Sequence, residues 1–427
     1  MDEIHVAGKC SLKGEVTIQG SKNAALPMIA ASLMHRGISV LRGCPKITDV
    51  FCMEKILESL GAVTWWEDHD LYLDCTMADG TRISPVWTGR MRSSVILLGA
   101  VLARNKKCRI GYPGGCIIGK RPIDLHLMAL RGLGAEIRET ASELDAECSG
   151  FHGGEISFAK ASVGATQQAM LAAVLAEGET ILHNCAKEPE VFWLGRYLKS
   201  MGARIEGEET GEILIRGVRE LEPGNYRIPP DRIVAGTYLC AAAASGSEIL
   251  LRNVPVEELK AFLKVYEKIG GQYEVNSGTL RVNGKKALRP AGLIETEEYP
   301  GFPTDLQAPF MAVLTGIPGQ SMIRERIFDR RFASAFQMNK MGADIEIRGS
   351  QAVIRGGKPL TGTTVEAGDL RGGAALIIAA LMADGETCIT QAELIGRGYE
   401  HICKDLQILG CKIWQSASED LKIYEKK

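Results

Sequence analysis

The chain has 427 residues, of which 45% are apolar and 24% charged, with 50 Lys and Arg against 52 Asp and Glu. That length exceeds one ordinary hydrophobic core, so two domains are expected. A net charge of −2 excludes a globally basic nucleic-acid or polyanion binder, and no run approaches the ~20 apolar residues of a membrane span.

In chain order, the opening "MDEIHVAGKCSLKGEV" holds no apolar run of the kind a signal peptide needs, which makes the cytoplasm the expected compartment. "QGSKNAALPMIAASL" then sets Ser21, Lys22 and Asn23 before an Ala/Leu helix. On one reading its N-terminal N–H groups and Lys22 make an anion site; on the other it is an N-cap followed by an exposed lysine. "ITDVFCMEKILESLGA" places Val50, Met53, Ile56, Leu57 and Leu60 on one helical face. "GRMRSSVILLG" puts Arg92 at a helix start.

The stretch "YPGGCIIGKRPIDLH" runs from Gly114 to Lys120 as G-x-x-x-x-G-K. Arg121 stands where a triphosphate loop needs Ser or Thr for magnesium, and Pro122 follows, which argues against an ATPase. Cys116 sits among glycines with two cations, Lys120 and Arg121, just beyond it. Nearby cations favour a thiolate, so Cys116 is a candidate reacting group; the alternative is an incidental loop cysteine.

Farther on, "KASVGATQQAM" is another Ser/Gly helix entry, at Ser162, Val163 and Gly164. Paired prolines in "RIPPDRIVAG" mark the expected break between domains. In "YPGFPTDLQAPF", Asp305 reads either as an N-cap or as a general base. Arg330 and Arg331 in "IFDRRFASAF", Arg371 in "GDLRGGAAL" and Arg397 in "LIGRGYEH" lie near helix starts, the last two beside glycine. Guanidinium groups bind carboxylate or phosphate bidentately, so this set points to a substrate with more than one anionic group.

A repeat organises these motifs. Gly61, Gly134, Gly202, Gly270, Gly342 and Gly410 each close an amphipathic segment, at successive spacings of 73, 68, 68, 72 and 68 residues. Each copy also carries an Ala/Leu-rich segment before a β-rich run, and a hairpin pattern after the glycine. The glycine suits a helix C′ position with a left-handed backbone. Six units of helix, strand, helix and hairpin divide into two compact α/β domains of three, with a cleft between them as the default ligand site. The twelve cysteines and seven histidines form no C-x-x-C pair and no H-x-x-x-H ligand spacing, so most thiols are expected to be reduced and buried, and no zinc site is expected.

The motifs "GSKNAALP", "MRSS", "PGGCIIGKRPIDLH", "SVGATQQAML", "FPTDLQAPF", "IFDRRF", "DLRGGAAL" and "RGYE" occur in order over essentially the whole chain. In them the sequence resembles the enolpyruvyl transferases that act on UDP-N-acetylglucosamine. The shikimate-pathway enolpyruvyl transferases share the fold without the cysteine loop, and they stand as the alternative, beside a non-catalytic UDP-sugar-binding paralogue. The resemblance implies an α/β fold, a two-domain inside-out α/β barrel made of six βαβαββ repeats. Residues 22–229, with a catalytic loop at 112–122, would form one domain; residues 1–21 and 230–427 would form the other, with the active site in the cleft between them.

It further implies transfer of enolpyruvyl from phosphoenolpyruvate to the 3′-hydroxyl of UDP-N-acetylglucosamine, with release of phosphate, the first committed step of peptidoglycan precursor synthesis. No metal, organic cofactor, nucleic-acid partner or membrane is implied, and the oligomeric state stays open, a monomer included. Cys116 matches the proton donor to the vinyl methylene, and Asp305 the acid/base at the sugar hydroxyl; Lys22 and Arg397 complete the catalytic set. Lys22, Asn23, Arg121, Arg331, Arg371 and Arg397 match phosphoenolpyruvate contacts. The UDP-sugar contacts match Asn23, Arg92, Arg121, Pro122, Ile123, Asp124, Leu125, Lys160, Ser162, Val163, Gly164, Asp305 and Ile327. Tyr299 and Asp329 depart from the residues many members carry, histidine and glutamate.

Overall fold

The computed structural model describes residues 2–114, 122–284 and 288–416. Among these, the strands form six four-stranded sheets of one design. In the repeat from residue 155 to residue 216, Glu155–Ser157 runs parallel to Glu179–His183, and the helix Val163–Ala173 makes the crossover that parallel strands require. The helix Pro189–Ser200 leads on to the hairpin of Arg204–Glu206 and Glu212–Arg216, whose second strand lies antiparallel to Glu179–His183. This is a βαβαββ unit, with the first strand that the repeat pattern alone had not separated from its neighbour.

The chain divides into two units, one holding residues 20–114 and 122–229, the other residues 2–19, 230–284 and 288–416. By contact, the chain passes from one unit to the other between Gln19 and Gly20 and returns between Pro229 and Pro230. The opening residues serve two sheets of the second unit. Glu3–Ala7 lies between Glu386–Thr390 and Ile413–Ser416, antiparallel to both, while Lys13–Thr17 runs parallel to Glu248–Arg252. In the other unit, Asn225–Arg227 near its end pairs parallel with Ile38–Arg42 near its start.

Each unit is built around three helices. In one they are Lys22–Ser32, Leu97–Asn105 and Val163–Ala173; in the other, Arg232–Ala244, Gln307–Thr315 and Leu370–Met382. Every residue of Gln307–Thr315 is buried, as is every residue from Arg371 to Leu381 and from Ala165 to Ala173. A helix without a solvent face has no need of a polar stripe, and the many Ala and Gly side chains let the three axes approach closely. The sheets lie outside these helices, which gives the inside-out arrangement. Among the described residues, no helix is long and apolar enough to cross a membrane.

The second helix of each repeat is amphipathic and ends on the periodic glycine. All six glycines have left-handed φ, from +92° at Gly270 to +102° at Gly134. After Pro189–Ser200, the Gly202 N–H donates to the Lys199 carbonyl and the Ala203 N–H to Leu198, a Schellman closure. A Cβ at Gly202 would meet nothing within 4 Å, so Gly202→Ala isolates backbone strain from packing. Urea unfolding should show a loss of ~1–2 kcal/mol.

One buried carboxyl gives the fold a pH signature. Glu54, on the helix Thr48–Ser59, accepts from Trp66 Nε1 at 2.9 Å, and burial pushes its pKa from 4.5 up to about 7. A carboxyl with a raised folded pKa binds protons more tightly in the folded state, so its contribution is present below pH 4.5 and is lost as pH rises through about 7. Glu54→Gln should flatten the stability profile across that window, by on the order of 3 kcal/mol at its upper end. Denaturant midpoints measured from pH 4 to 8 check this.

Candidate active site

In the unit of residues 20–229, the expected residues gather at helix starts. Ser21 caps Lys22–Ser32 by accepting from the Ala24 N–H. Lys22 is 8% exposed, so it is not the solvent-facing lysine of the simpler reading. Its Nζ lies 2.7 Å from Asp49 Oδ2, and that carboxylate is itself buried. Asn23 is half-buried on the same turn. Arg92 opens the 3-10 helix Arg92–Ile96, which packs against both Lys22–Ser32 and Val163–Ala173. One guanidinium nitrogen of Arg92 donates to the Pro122 carbonyl at 2.8 Å.

From Pro122 the chain passes through Ile123 into the helix Asp124–Gly132, with Asp124 exposed and Leu125 half-buried. His126 then hydrogen-bonds through Nδ1 to Gln168 on the neighbouring central helix. Gly164 sits against that imidazole: a Cβ there would lie 2.8 Å from His126 Cε1. Ser162 caps the helix by accepting from the Ala165 N–H, Val163 and Gly164 begin it, and Lys160 is exposed just before it. Arg92, Pro122 to Leu125 and Ser162 to Gly164 are thus linked through direct contacts. Cys116 and Arg121 lie outside the described residues.

In the other unit, Asp305 is the hub. It sits inside the 3-10 turn Thr304–Leu306 rather than at a helix cap, and its carboxylate turns to two arginines. Arg331 Nη2 donates to Asp305 Oδ1 at 2.7 Å, and Arg371 approaches Oδ2 through Nε and Nη2, both at 3.2 Å. Both guanidinium groups are buried, whereas the Asp305 side chain keeps 27% of its surface exposed. The Arg331 guanidinium lies over the Phe328 ring and that of Arg371 over the Tyr399 ring, each 5.3 Å from the centroid. Burial works against the charge on Arg371, yet Tyr399, Asp305 and Asp231 hold its pKa above the ordinary arginine value. Among the described residues, Arg331 Nε and Arg371 Nη1 are buried without a hydrogen-bond partner.

Arg371 is fixed at its backbone as well, because Asp369 caps Leu370–Met382 by accepting from the N–H groups of Arg371 and Gly372. Arg397 ends the 3-10 helix Ala392–Arg397, which packs on that same central helix. Gly398 abuts Leu370 so closely that a Cβ would fall 2.8 Å from the leucine side chain. Asp305, Arg331 and Arg371 therefore meet directly, and Arg397 is held beside the helix that carries Arg371.

A family model described as EPSP synthase (3-phosphoshikimate 1-carboxyvinyltransferase) matches residues 6–406. The chain belongs to this family. It is 43% identical over 413 residues to the UDP-N-acetylglucosamine 1-carboxyvinyltransferase 2 of Caldanaerobacter subterraneus subsp. tengcongensis, covering 97% of this chain and 99% of that relative. It is 41% identical over 417 residues to the UDP-N-acetylglucosamine 1-carboxyvinyltransferase of Koribacter versatilis, covering 97% and 96%. Among solved structures, the enolpyruvyl transferase NikO from Streptomyces tendae has the same fold, with a TM-score of 0.89 at 23% identity over 98% of this chain and 99% of that one.

Two residues of this family member escaped the reading of its sequence. Asp49 reads as an ordinary acidic residue in the first turn of a helix, and only the fold brings it to Lys22. Glu325 is the other. Its buried carboxylate accepts from the Ile327 N–H at 2.8 Å, the Phe328 N–H at 3.1 Å and the Thr304 hydroxyl at 2.9 Å. It therefore ties the turn bearing Asp305 to the segment bearing Ile327, Phe328 and Arg331. In sequence it stands between Arg324 and Arg326, just past the strand Gly319–Arg324, and reads as one more charge in a polar turn. Glu325→Ala should cost ~2–3 kcal/mol in chemical denaturation by leaving two amides and a hydroxyl unpaired, whereas Thr304→Val should cost ~1 kcal/mol.

Proposed function

We propose that the chain transfers the enolpyruvyl group of phosphoenolpyruvate to the 3′-hydroxyl of UDP-N-acetylglucosamine and releases phosphate. The observation that carries this reading is the clamp of two buried guanidiniums on a partly exposed Asp305, with donors to spare on both arginines. The curated relatives named above, at 41–43% identity over nearly their whole length, support the choice of acceptor.

In this reading the sugar hydroxyl oxygen bonds to C2 of phosphoenolpyruvate while C3 takes a proton from Cys116, giving a tetrahedral adduct. Asp305 receives the hydroxyl proton. The adduct then expels phosphate with the electrons of the C2–O bond while the methyl carbon returns a proton to the Cys116 thiolate, which restores the vinyl group. Lys22, Arg121 and Arg397 hold the phosphate, and Arg331 and Arg371 serve the carboxylate and the charge that develops at the adduct. Fixed cations whose desolvation was completed during folding stabilise that charge without reorganising. Asn23, Arg92, Pro122 to Leu125, Lys160 to Gly164 and Ile327 position the UDP-sugar. The chemistry assigned to these side chains requires no metal or organic cofactor, and we place the reaction in the cytoplasm, as the first committed step of peptidoglycan precursor synthesis.

Phosphate release from phosphoenolpyruvate should depend on UDP-N-acetylglucosamine and vanish in Cys116→Ala. Arg371→Ala should lower kcat/KM by ~10²–10³-fold. Release that depends on shikimate 3-phosphate instead would move the assignment to the other acceptor, and tight UDP-sugar binding without release would mark a non-catalytic paralogue.

A further inference from the structure

A second cluster of reactive side chains lies on a sheet of the unit of residues 2–19, 230–284 and 288–416. Strand alternation puts Glu3 and His5 on one face of Glu3–Ala7. The antiparallel register sets His5 opposite Cys388 on one side and opposite Trp414 on the other. One ligand atom each from Glu3, His5 and Cys388 lie within 4.8 Å of one another.

The imidazole is held in a defined orientation. Its ring stacks on the Trp414 indole with centroids 5.2 Å apart and planes 4° from parallel. Nδ1 bonds to Glu386 Oε1 at 2.8 Å, which leaves Nε2 facing Glu3 Oε2 at 3.6 Å. A carboxylate on one ring nitrogen with the other nitrogen turned toward further donors is the arrangement found around metal-bound histidine. Two ligands each ~2.0–2.2 Å from a tetrahedral ion sit ~3.4 Å apart, close to the Nε2–Oε2 separation.

We propose that Glu3, His5 and Cys388 form a three-ligand site for a borderline divalent cation of the zinc class, with a fourth position open to solvent and Glu386 orienting the histidine. One oxygen, one nitrogen and one sulfur donor suit zinc or cobalt and not the all-oxygen preference of calcium or magnesium. The ion would clip the first strand to the strand that follows the last central helix.

The test uses tag-free, chelator-treated full-length protein titrated with Co²⁺. The expected result is a thiolate-to-cobalt charge-transfer band that saturates at one equivalent and disappears when Zn²⁺ is added. Cys388→Ala and His5→Gln should lose the band, and Glu386→Gln should weaken binding by ~10–100-fold, with the metal-free turnover of all three unchanged. No band in the wild-type protein, or a band that survives Cys388→Ala, overturns the proposal.

Discussion

Six helices without a solvent face impose the constraint from which the rest of this molecule follows. A helix end leaves backbone N–H groups unpaired, and a buried end has no water to satisfy them. The chain answers with short polar caps: Ser21, Ser162, Asp231 and Asp369 each accept from the first turn of a central helix. The same burial selects Ala and Gly along the helices, because only small side chains let three of them share one core. It also concentrates charge at the helix starts, where Lys22, Arg232 and Arg371 are buried within the first two residues.

Burying those charges is costly, and the structure shows how the cost is met. Asp305 supplies a counter-charge to two guanidiniums at once, and the flat faces of those groups rest on Phe328 and Tyr399. The arginine donors left unpaired are the part of this arrangement that serves no purpose in the fold itself. Buried polar atoms without partners are uncommon in native proteins, and among the described residues Arg331 Nε and Arg371 Nη1 are two of several. Glu325 keeps the geometry together from behind, holding the two turns on which the clamp depends.

Local regularities were legible in the sequence. The glycines at near-constant spacing reported a backbone requirement that only glycine meets without strain, and all six adopt the same left-handed φ. The motif order identified the family before any geometry was in view. What sequence did not disclose depends on register between distant strands or on which of many acidic residues faces inward. Asp49 beside Lys22, Glu325 behind Asp305, and Cys388 opposite His5 are all of this kind. Each looks ordinary in its own segment, since periodicity reports which face a residue occupies and not what the fold sets against it.

The antiparallel pairing of Glu3–Ala7 with Ile413–Ser416 orders events during synthesis. Glu3–Ala7 is made long before its neighbour, so this sheet stays incomplete until Ile413–Ser416 has been added. The unit of residues 20–229 has no such wait, since Asn225–Arg227, the last of its described strands, is made well before Ile413–Ser416. On a ribosome, where domains fold as units from the N-terminal side, this inserted unit closes first while the leading nineteen residues remain unpartnered. The strand edges left open in that interval are where a nascent chain of this family would most need protection from its neighbours.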